Sequence, residues 1–324
     1  MPAALCHTLV PYAREMPQYG QEPPDRETVG KGPWRERRVC LSDTIVFARE
    51  RPGRGPVIIF EAGLGLPGSL WRRVCAFLPP DRALLCYDRA GLGRSDRGVL
   101  PRSGTQQLGE LRELLRELSL GPPYVLVGHS AGAFVVRLFS LAYPEEVAAV
   151  VLVDPAHEDE PAARRPVMRW LDASSGALLR AAAALARTGV MEAAWRLARG
   201  TPHLRWATGD EHADLLAEVT SSKHLEGTVH ENRAYSTTVA EIRLAQRQRR
   251  MPDVPLRVIT AERSYQGWSL LRRSRQRERD RIRALHGALA ASSPHGVHVL
   301  APHSGHLVMK DDPHLVAATV LDVL

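Results

Sequence analysis

The stretch GHSAG (128–132) places a serine between two glycines, after a predicted strand (124–128) and before a predicted helix (133–143). A serine hydroxyl becomes a useful nucleophile only when it is exposed and paired with a base. A sharp strand-to-helix turn lifts the hydroxyl out of a sheet, and the flanking glycines leave room for that turn. The backbone N–H of Ala131, at the start of the helix, can point at a developing oxyanion. We therefore predict that Ser130 is a nucleophile.

A second glycine pattern, GLGLPG (63–68), follows an apolar run at 57–60 and reads G-x-G-x-x-G, with Asp88 farther along the chain. Such a pattern can cradle a dinucleotide, or it can let the backbone approach another anion. Pro67 and Gly68 suit poorly a helix that must pack tightly on the strand. A dinucleotide site would also leave the rest of the chain unexplained, so we favour another anion.

Strands and helices alternate along most of the chain, and they must position these loops. Near-continuous apolar strands separated by helices predict an α/β fold with a mostly parallel central sheet covered by helices on both faces. The alternation stops after 154 and resumes at about 253. We therefore predict an irregular N-terminal arm (1–34), an α/β core (35–154 and 253–324) and a helical insertion (155–252).

With these motifs in this order, the chain resembles the α/β-hydrolase fold family from about residue 38 onward. YDRAGLGRSD (87–96) is similar to the family's turn after the preceding strand, and SGHLVMKDDPHLV (304–316) is similar to its histidine loop and last helix. The resemblance implies that Ser130 is the nucleophile and His306 the general base. His303, in the same loop, is the alternative base.

The resemblance also implies an oxyanion hole. The loop after the strand at 57–61 supplies the second donor in this family, which implies the N–H of Leu64 beside that of Ala131. The family often carries His-Gly in this loop, whereas this chain has Glu61-Ala62-Gly63. The glycine pattern at 63–68 therefore faces a tetrahedral intermediate in this interpretation, not a pyrophosphate.

Two carboxylates compete for the third catalytic position. In many family members the acid follows the strand before the histidine strand, where this chain has Glu262 in a different register and no Asp. The other family position is one strand earlier, and there the chain has Asp154 at a strand's carboxyl end, where catalytic groups gather in α/β sheets. We favour Asp154, which would accept the Nδ1–H of His306, and keep Glu262 as the alternative.

The helical insertion takes the place of the family's cap over the active site. Its aromatic residues, together with the histidine beside the nucleophile, are the candidate lining of a substrate pocket. These candidates are His129, Trp170, Trp195, Trp206 and Tyr235. We expect many of the insertion's large side chains to pack the cap onto the core instead.

Two charged segments invite other interpretations. Residues 157–160 read His-Glu-Asp-Glu, but consecutive residues on a regular element cannot all face one ion, so we predict a solvated loop. Residues 270–286 carry seven arginines, and alternate residues spread over all faces of a helix. We therefore predict a solvated helix with local ion pairs there.

The bulk composition is typical of a globular protein: 324 residues, 44% apolar and 24% charged, with a formal net charge of +7. No basic run is interleaved with aromatic residues, so we expect no nucleic-acid partner. The four scattered cysteines indicate neither a disulfide framework nor a zinc site. We see no secretory signal and no membrane-spanning run, so we expect a cytoplasmic protein without integral membrane association.

These features predict a serine hydrolase that cleaves an ester-type bond (carboxylic ester, lactone or thioester) through an acyl-enzyme, without metal or organic cofactor. Its expected partner is a small-molecule substrate with an acyl group, and the sequence predicts no particular oligomeric state. The alternatives are a C–C bond hydrolase, a peptidase or a cofactor-free haloperoxidase of the same fold. A non-catalytic small-molecule-binding protein on this scaffold is the alternative from a different class.

Overall fold

The structure is a computed structural model, and it describes residues 34–160, 218–264 and 272–324, with four single positions between 161 and 217. These residues form one eight-stranded sheet in the order β1-β2-β4-β3-β5-β6-β7-β8. The strands are β1 (Arg35–Cys40), β2 (Ile45–Arg51), β3 (Arg54–Glu61), β4 (Arg82–Tyr87), β5 (Tyr124–His129), β6 (Val147–Val153), β7 (Leu256–Ala261) and β8 (Gly296–Ala301).

The sheet is parallel from β4 to β8, and β2 joins it antiparallel to β4. Strands β1 and β2 form an antiparallel hairpin at the edge of the sheet. Seven α-helices lie within the described residues: α1 (Arg72–Phe77), α2 (Gly104–Glu117), α3 (Gly132–Ala142), α4 (Ser222–Gln248), α5 (Arg272–Ala290), α6 (Val308–Asp311) and α7 (Pro313–Leu321).

Helices cover both faces of the sheet because successive strand residues point to opposite sides. Ile59 of β3 packs in the core shared with α2, α3, α4 and α5. Its neighbours Ile58 and Phe60 pack in the core shared with α1, α6 and α7. Strands that are buried on both faces must be apolar throughout, which explains the continuous apolar runs of the sequence.

Helix α2 shows how the helical spacing becomes packing. Leu111 and Leu114 are 1% and 0% exposed, on the stripe that faces the sheet. Burying each such side chain stabilises the fold by roughly 1.5–3 kcal/mol. The same stripe and helix α3 receive helix α4, which buries Val239 and Ile242 against them.

The α/β fold class is therefore confirmed, with the predicted mostly parallel sheet and helices on both faces. Helix α4 lies inside the predicted insertion (155–252), whereas most of that insertion and the arm at 1–33 lie outside the described residues. The division into arm, core and cap stays a prediction. In the described part of the chain, no helix combines the length and the apolar character needed to cross a membrane.

Candidate active site

Ser130 stands in the turn between β5 and α3, with a backbone φ of +50°. This left-handed conformation is strained for a serine, and such strain persists only where the surroundings impose it. The surroundings here are tight, because a Cβ at Gly132 would lie 2.8 Å from the carbonyl oxygen of Glu61. The backbone N–H of Ser130 donates to Val153 O at 3.2 Å, which anchors the turn to the end of β6.

His306 joins Ser130 to Asp154 in one hydrogen-bonded chain. Its Nε2 lies 2.9 Å from Ser130 Oγ, and its Nδ1 lies 2.7 Å from Asp154 Oδ2. An ionised carboxylate can only accept, so Nδ1 carries the hydrogen and Nε2 is free to accept from the Ser130 hydroxyl. The loop between β8 and α6 carries His306, and its side chain is 46% exposed.

Asp154 follows β6 directly and also has a left-handed backbone, with φ +41°. It is 2% exposed. Its Oδ1 accepts from the N–H of Ala261 at 3.0 Å, and its Oδ2 accepts from Ser264 Oγ at 2.8 Å as well as from His306. Burial works to raise the pKa of Asp154, but its bond to His306 and the other donors hold that pKa below its usual value. The carboxylate is therefore ionised at neutral pH.

The same contact acts on His306. Burial works to lower the pKa of His306, but the hydrogen bond and the charge of Asp154 raise it above its usual value. His129, by contrast, is fully buried, and burial together with the neighbouring His306 lowers its pKa to about 3. His129 is therefore neutral, and its Nε2–H donates to the backbone oxygen of His306 at 2.8 Å. It supports the histidine loop from within the core.

Glu262 follows β7 as Asp154 follows β6, but its surroundings differ. Its side chain forms an ion pair with Arg283 of α5, and its N–H donates to Ala301 O at 3.1 Å. The structure therefore pairs Asp154 with His306 and Glu262 with Arg283 of α5. His303, the alternative base, is exposed, and its Nδ1 lies 3.2 Å from a guanidinium nitrogen of Arg263.

The two N–H groups expected to hold an oxyanion flank the serine turn. Ala131 is the N-cap of α3, and Leu64 lies in the turn that follows β3. No described residue accepts a hydrogen bond from either N–H. The Leu64 loop packs closely on the site, because a Cβ at Gly63 would lie 2.7 Å from the Nδ1 of His129. Only glycine allows this approach of the backbone.

A buried cluster of charges lies beneath the Leu64 loop. Arg89 donates to Glu61 Oε1 at 2.5 Å and to Glu231 Oε1 at 2.7 Å, and Tyr87 donates its hydroxyl hydrogen to Glu61. Burial works to lower the pKa of Arg89, but the two carboxylates raise it above its usual value, so the guanidinium is always charged. No sequence pattern indicates this cluster, since Glu231 comes from helix α4 far along the chain.

The family model described as the alpha/beta hydrolase family matches residues 58–319 of the chain. The chain belongs to the alpha/beta hydrolase family. Members of this family share a fold that hosts several chemistries, so the reaction must be argued from the site itself.

Two solved structures show how far the fold likeness extends. Cfl2 from Burkholderia cenocepacia superimposes with a TM-score of 0.66 over 89% of this chain and 95% of that one, at 22% identity. The Cif epoxide hydrolase from Acinetobacter nosocomialis gives a TM-score of 0.69 over 91% and 90%, at 15% identity. At these identities the likeness shows the alpha/beta hydrolase fold alone.

Curated relatives match over shorter stretches. The uncharacterized protein YqjL of Bacillus subtilis is 33% identical over 130 residues, 40% of this chain and 51% of that protein. The mouse (lyso)-N-acylphosphatidylethanolamine lipase is 31% identical over 142 residues, 42% of this chain and 41% of the lipase. The chain thus spans about half or less of the curated relatives that it matches.

The loop 157–160 is not solvated as predicted, because Glu158 is only 6% exposed and pairs with both terminal nitrogens of buried Arg137, at 2.7 and 2.8 Å. Burial works to raise the pKa of Glu158, but Arg137 lowers it to about 2. A carboxylate can thus be buried in a loop when a neighbouring helix supplies its counter-charge. Among the described side chains, no group of His, Cys, Asp and Glu could hold a metal ion.

The predicted pocket residues are only partly described. Tyr235 of α4 sets its ring against Phe134 of α3, with the ring centroids 5.8 Å apart. Trp170, Trp195 and Trp206 lie outside the described residues. The composition of the substrate pocket therefore stays a prediction.

Proposed function

We propose that the protein is a serine hydrolase that cleaves an ester-type bond: a carboxylic ester, a lactone or a thioester. The observation that carries the proposal is the hydrogen-bonded chain Ser130–His306–Asp154, with links of 2.9 and 2.7 Å. The strained turn at Ser130 supports it, because it presents the hydroxyl at the carboxyl end of β5. The lipase name of a partly matching relative points in the same direction.

The reaction follows from the direction of each hydrogen bond. Ser130 Oγ attacks the substrate carbonyl while its proton passes to Nε2 of His306. Asp154 keeps the other ring nitrogen protonated and stabilises the imidazolium that forms. The carbonyl electron pair moves onto oxygen, where the N–H groups of Ala131 and Leu64 are aimed in this proposal. Collapse expels the leaving group with the proton from His306.

Water completes the cycle. The acyl group now sits on Ser130, and His306 is again neutral and able to take a proton from a water molecule. Attack of that water on the acyl carbonyl forms a second tetrahedral intermediate, which releases the acid and restores the serine. Apart from the substrate and this water molecule, each step uses groups of the chain itself.

Other reactions of the same fold share this nucleophile. A C–C bond hydrolase, a peptidase or a haloperoxidase would also need an activated Ser130, so the choice among them depends on the cap. The alternative from a different class is a non-catalytic binding protein, which would need no activated serine. The hydrogen bond between Ser130 and His306 favours the enzyme.

Labelling by a fluorophosphonate probe, beside turnover of p-nitrophenyl acetate, tests the proposal. We expect the wild type to be labelled and active, and Ser130→Ala to lose labelling and to lose turnover by on the order of 10⁴-fold or more. Ser292→Ala is the matched control, because Ser292 lies between α5 and the amino end of β8, where its hydroxyl donates to Leu289 O, whereas His306 follows the carboxyl end of β8. A folded wild type that resists the probe would instead place the binding-protein alternative first.

A further inference from the structure

The buried cluster beneath the Leu64 loop contacts the loop's backbone directly. One terminal nitrogen of Arg89 donates to Ala62 O at 2.6 Å, and the other donates to Gly63 O at 2.6 Å. These carbonyls belong to the residues that immediately precede Leu64. The guanidinium is only 4% exposed, so water does not compete strongly for these bonds.

The bond to Gly63 O has a consequence for Leu64, because Gly63 C=O and Leu64 N–H are the two ends of one peptide unit. A trans peptide is planar, and its C=O and N–H point in opposite directions. The guanidinium holds the Gly63 oxygen at 2.6 Å, with the Leu66 N–H as a second donor at 3.1 Å, and therefore helps to fix the Leu64 N–H on the opposite side of the peptide. The positive charge of the guanidinium, held beside that oxygen, also polarises the amide and makes its N–H a stronger hydrogen-bond donor.

We propose that Arg89 is a positioning residue of the oxyanion hole: its charge-assisted bond to Gly63 O orients and polarises the Leu64 N–H for the transition state. This inference rests on the proposed function. Arg89 belongs to the turn YDRAGLGRSD (87–96), and in this inference that turn supports a second loop, the one that carries Leu64. Arg89 does not touch the substrate, so its effect reaches the reaction only through the Gly63–Leu64 peptide.

Helix α4 holds the two peptide units that follow the Leu64 N–H. Glu231 accepts from the N–H of Gly65 at 2.9 Å, and His224 Nε2 lies 2.8 Å from Gly65 O. Glu231 also binds the Nε and one terminal nitrogen of Arg89, at 2.7 and 2.9 Å. The Glu231 carboxylate thus contacts both the Arg89 guanidinium and the backbone of the Leu64 loop. The Leu64 N–H lies between two anchored peptide units.

A different buried arginine shows that this arrangement is more than a way to bury charge. Arg102 pairs with Glu110 through both terminal nitrogens, one of them at 2.7 Å, within a single local segment. Its side chain also donates to Val99 O at 3.4 Å, a carbonyl of the same local segment. Arg89 differs because it donates to two consecutive carbonyls of the Leu64 loop. Arg102→Gln is therefore the matched control.

The test compares Arg89→Gln with the wild type by two measurements. The first is turnover of p-nitrophenyl acetate. The second is inhibition by a trifluoromethyl alkyl ketone, to which Ser130 Oγ adds while its proton passes to His306 and the carbonyl electron pair becomes an oxyanion. We expect kcat/KM to fall and the inhibition constant to rise by a common factor of about 100. KM should change little, because the ground-state carbonyl uses the hole weakly.

Arg89→Gln leaves two carboxylates without their cation, so the variant could fail to fold. The double variant Arg89→Gln/Glu231→Gln removes one charge of each sign, and Arg89→Lys keeps a cation but loses the planar fork. We expect both to show the paired loss in kcat/KM and inhibitor affinity. The pH at which kcat/KM declines should stay as in the wild type, because Arg89 has no contact with His306.

Folded Arg89 variants that keep wild-type kcat/KM and inhibitor affinity, with only a lower melting temperature, would overturn the inference. A similar paired loss in Arg102→Gln would overturn it too, since it would show a general response to a lost buried ion pair. Failure of the proposed function gives a different pattern: Ser130 of the wild type would not react with a fluorophosphonate at all. The inference would then fall with it.

Discussion

Two carboxylates follow neighbouring strands at the same edge of the sheet, yet only one reaches the histidine. Asp154 comes directly after β6 and lies 2.7 Å from His306 Nδ1. Glu262 comes directly after β7 and pairs with Arg283 on helix α5. Both are acidic residues at the carboxyl ends of parallel strands, where ligands and catalysts gather. Position along the strand therefore does not decide which of them serves the histidine.

The backbone and the available donors make the difference. Asp154 adopts a left-handed φ of +41°, which turns the chain sharply at the end of β6. Glu262 instead continues the pairing toward β8 through its N–H. The loop after β7 contributes to the site in another way, because Ala261 N–H and Ser264 Oγ both donate to Asp154. This loop thus supports the Asp154 carboxylate, although the resemblance of the sequence made the same loop an alternative source of the acid.

Removing each carboxylate is the strongest test of this comparison. We expect Asp154→Asn to lower kcat by about 10⁴-fold, because an amide in this place favours the wrong tautomer of His306. Glu262→Gln should stay close to the wild type, since it removes only a partly exposed ion pair. Steady-state turnover of p-nitrophenyl acetate by the two purified variants measures both effects. A large loss in Glu262→Gln with an active Asp154→Asn would reverse the assignment.

Most of the fold was predictable from the sequence because its signals are local. Buried parallel strands must be apolar, and the runs at 57–61, 124–128 and 148–154 match β3, β5 and β6 to within a few residues. The serine turn was equally predictable, because the glycines that make room for the turn lie within five consecutive residues, 128–132. Local sterics fixed both features.

The supports of the site were not predictable in the same way. Glu231 meets Arg89 across a sequence separation of 142 residues, and no local pattern announces that contact. The sequence around Glu158 predicted a solvated loop, whereas Glu158 pairs with Arg137, which projects from helix α3. The nearest signals were Glu61-Ala62-Gly63 in a loop where the resembling family often carries His-Gly, and an arginine in the turn after β4. Buried charges need partners, so each was a sign that a distant partner existed.

Ser264 tests the supporting role of the loop after β7. Ser264→Ala removes a 2.8 Å hydrogen bond to Asp154 Oδ2 but leaves the bonds from His306 and Ala261. A bond to a charged group contributes about 1.5–3 kcal/mol, and partial loss of it in the transition state should lower kcat/KM about tenfold. Ser264→Thr, which keeps the hydroxyl, is the matched control and should recover most of the activity. Equal losses in both variants would mean that the loop matters through its shape and not through this donor.

The smallest effect we expect is a displacement of the pH profile. His306 must be neutral to accept the Ser130 proton, so kcat/KM falls as the pH drops through the pKa of His306. Asp154 raises that pKa, so the wild-type decline should begin at a higher pH than the ordinary value of 6.5 implies. Glu262→Gln should keep the wild-type profile, because Glu262 faces Arg283.

The residual activity of Asp154→Asn completes this test. Without the carboxylate, burial still lowers the pKa of His306 and only the smaller effect of the Glu160 charge raises it, so the decline should move to lower pH than in the wild type. The measurement is kcat/KM against pH, followed at a wavelength where p-nitrophenol and its anion absorb equally. If Glu262→Gln shifted the pH profile and Asp154→Asn did not, the carboxylate that raises the pKa of His306 would be Glu262, after β7. The contrast between the two strand ends would then lose its electrostatic basis, even if both variants fold like the wild type.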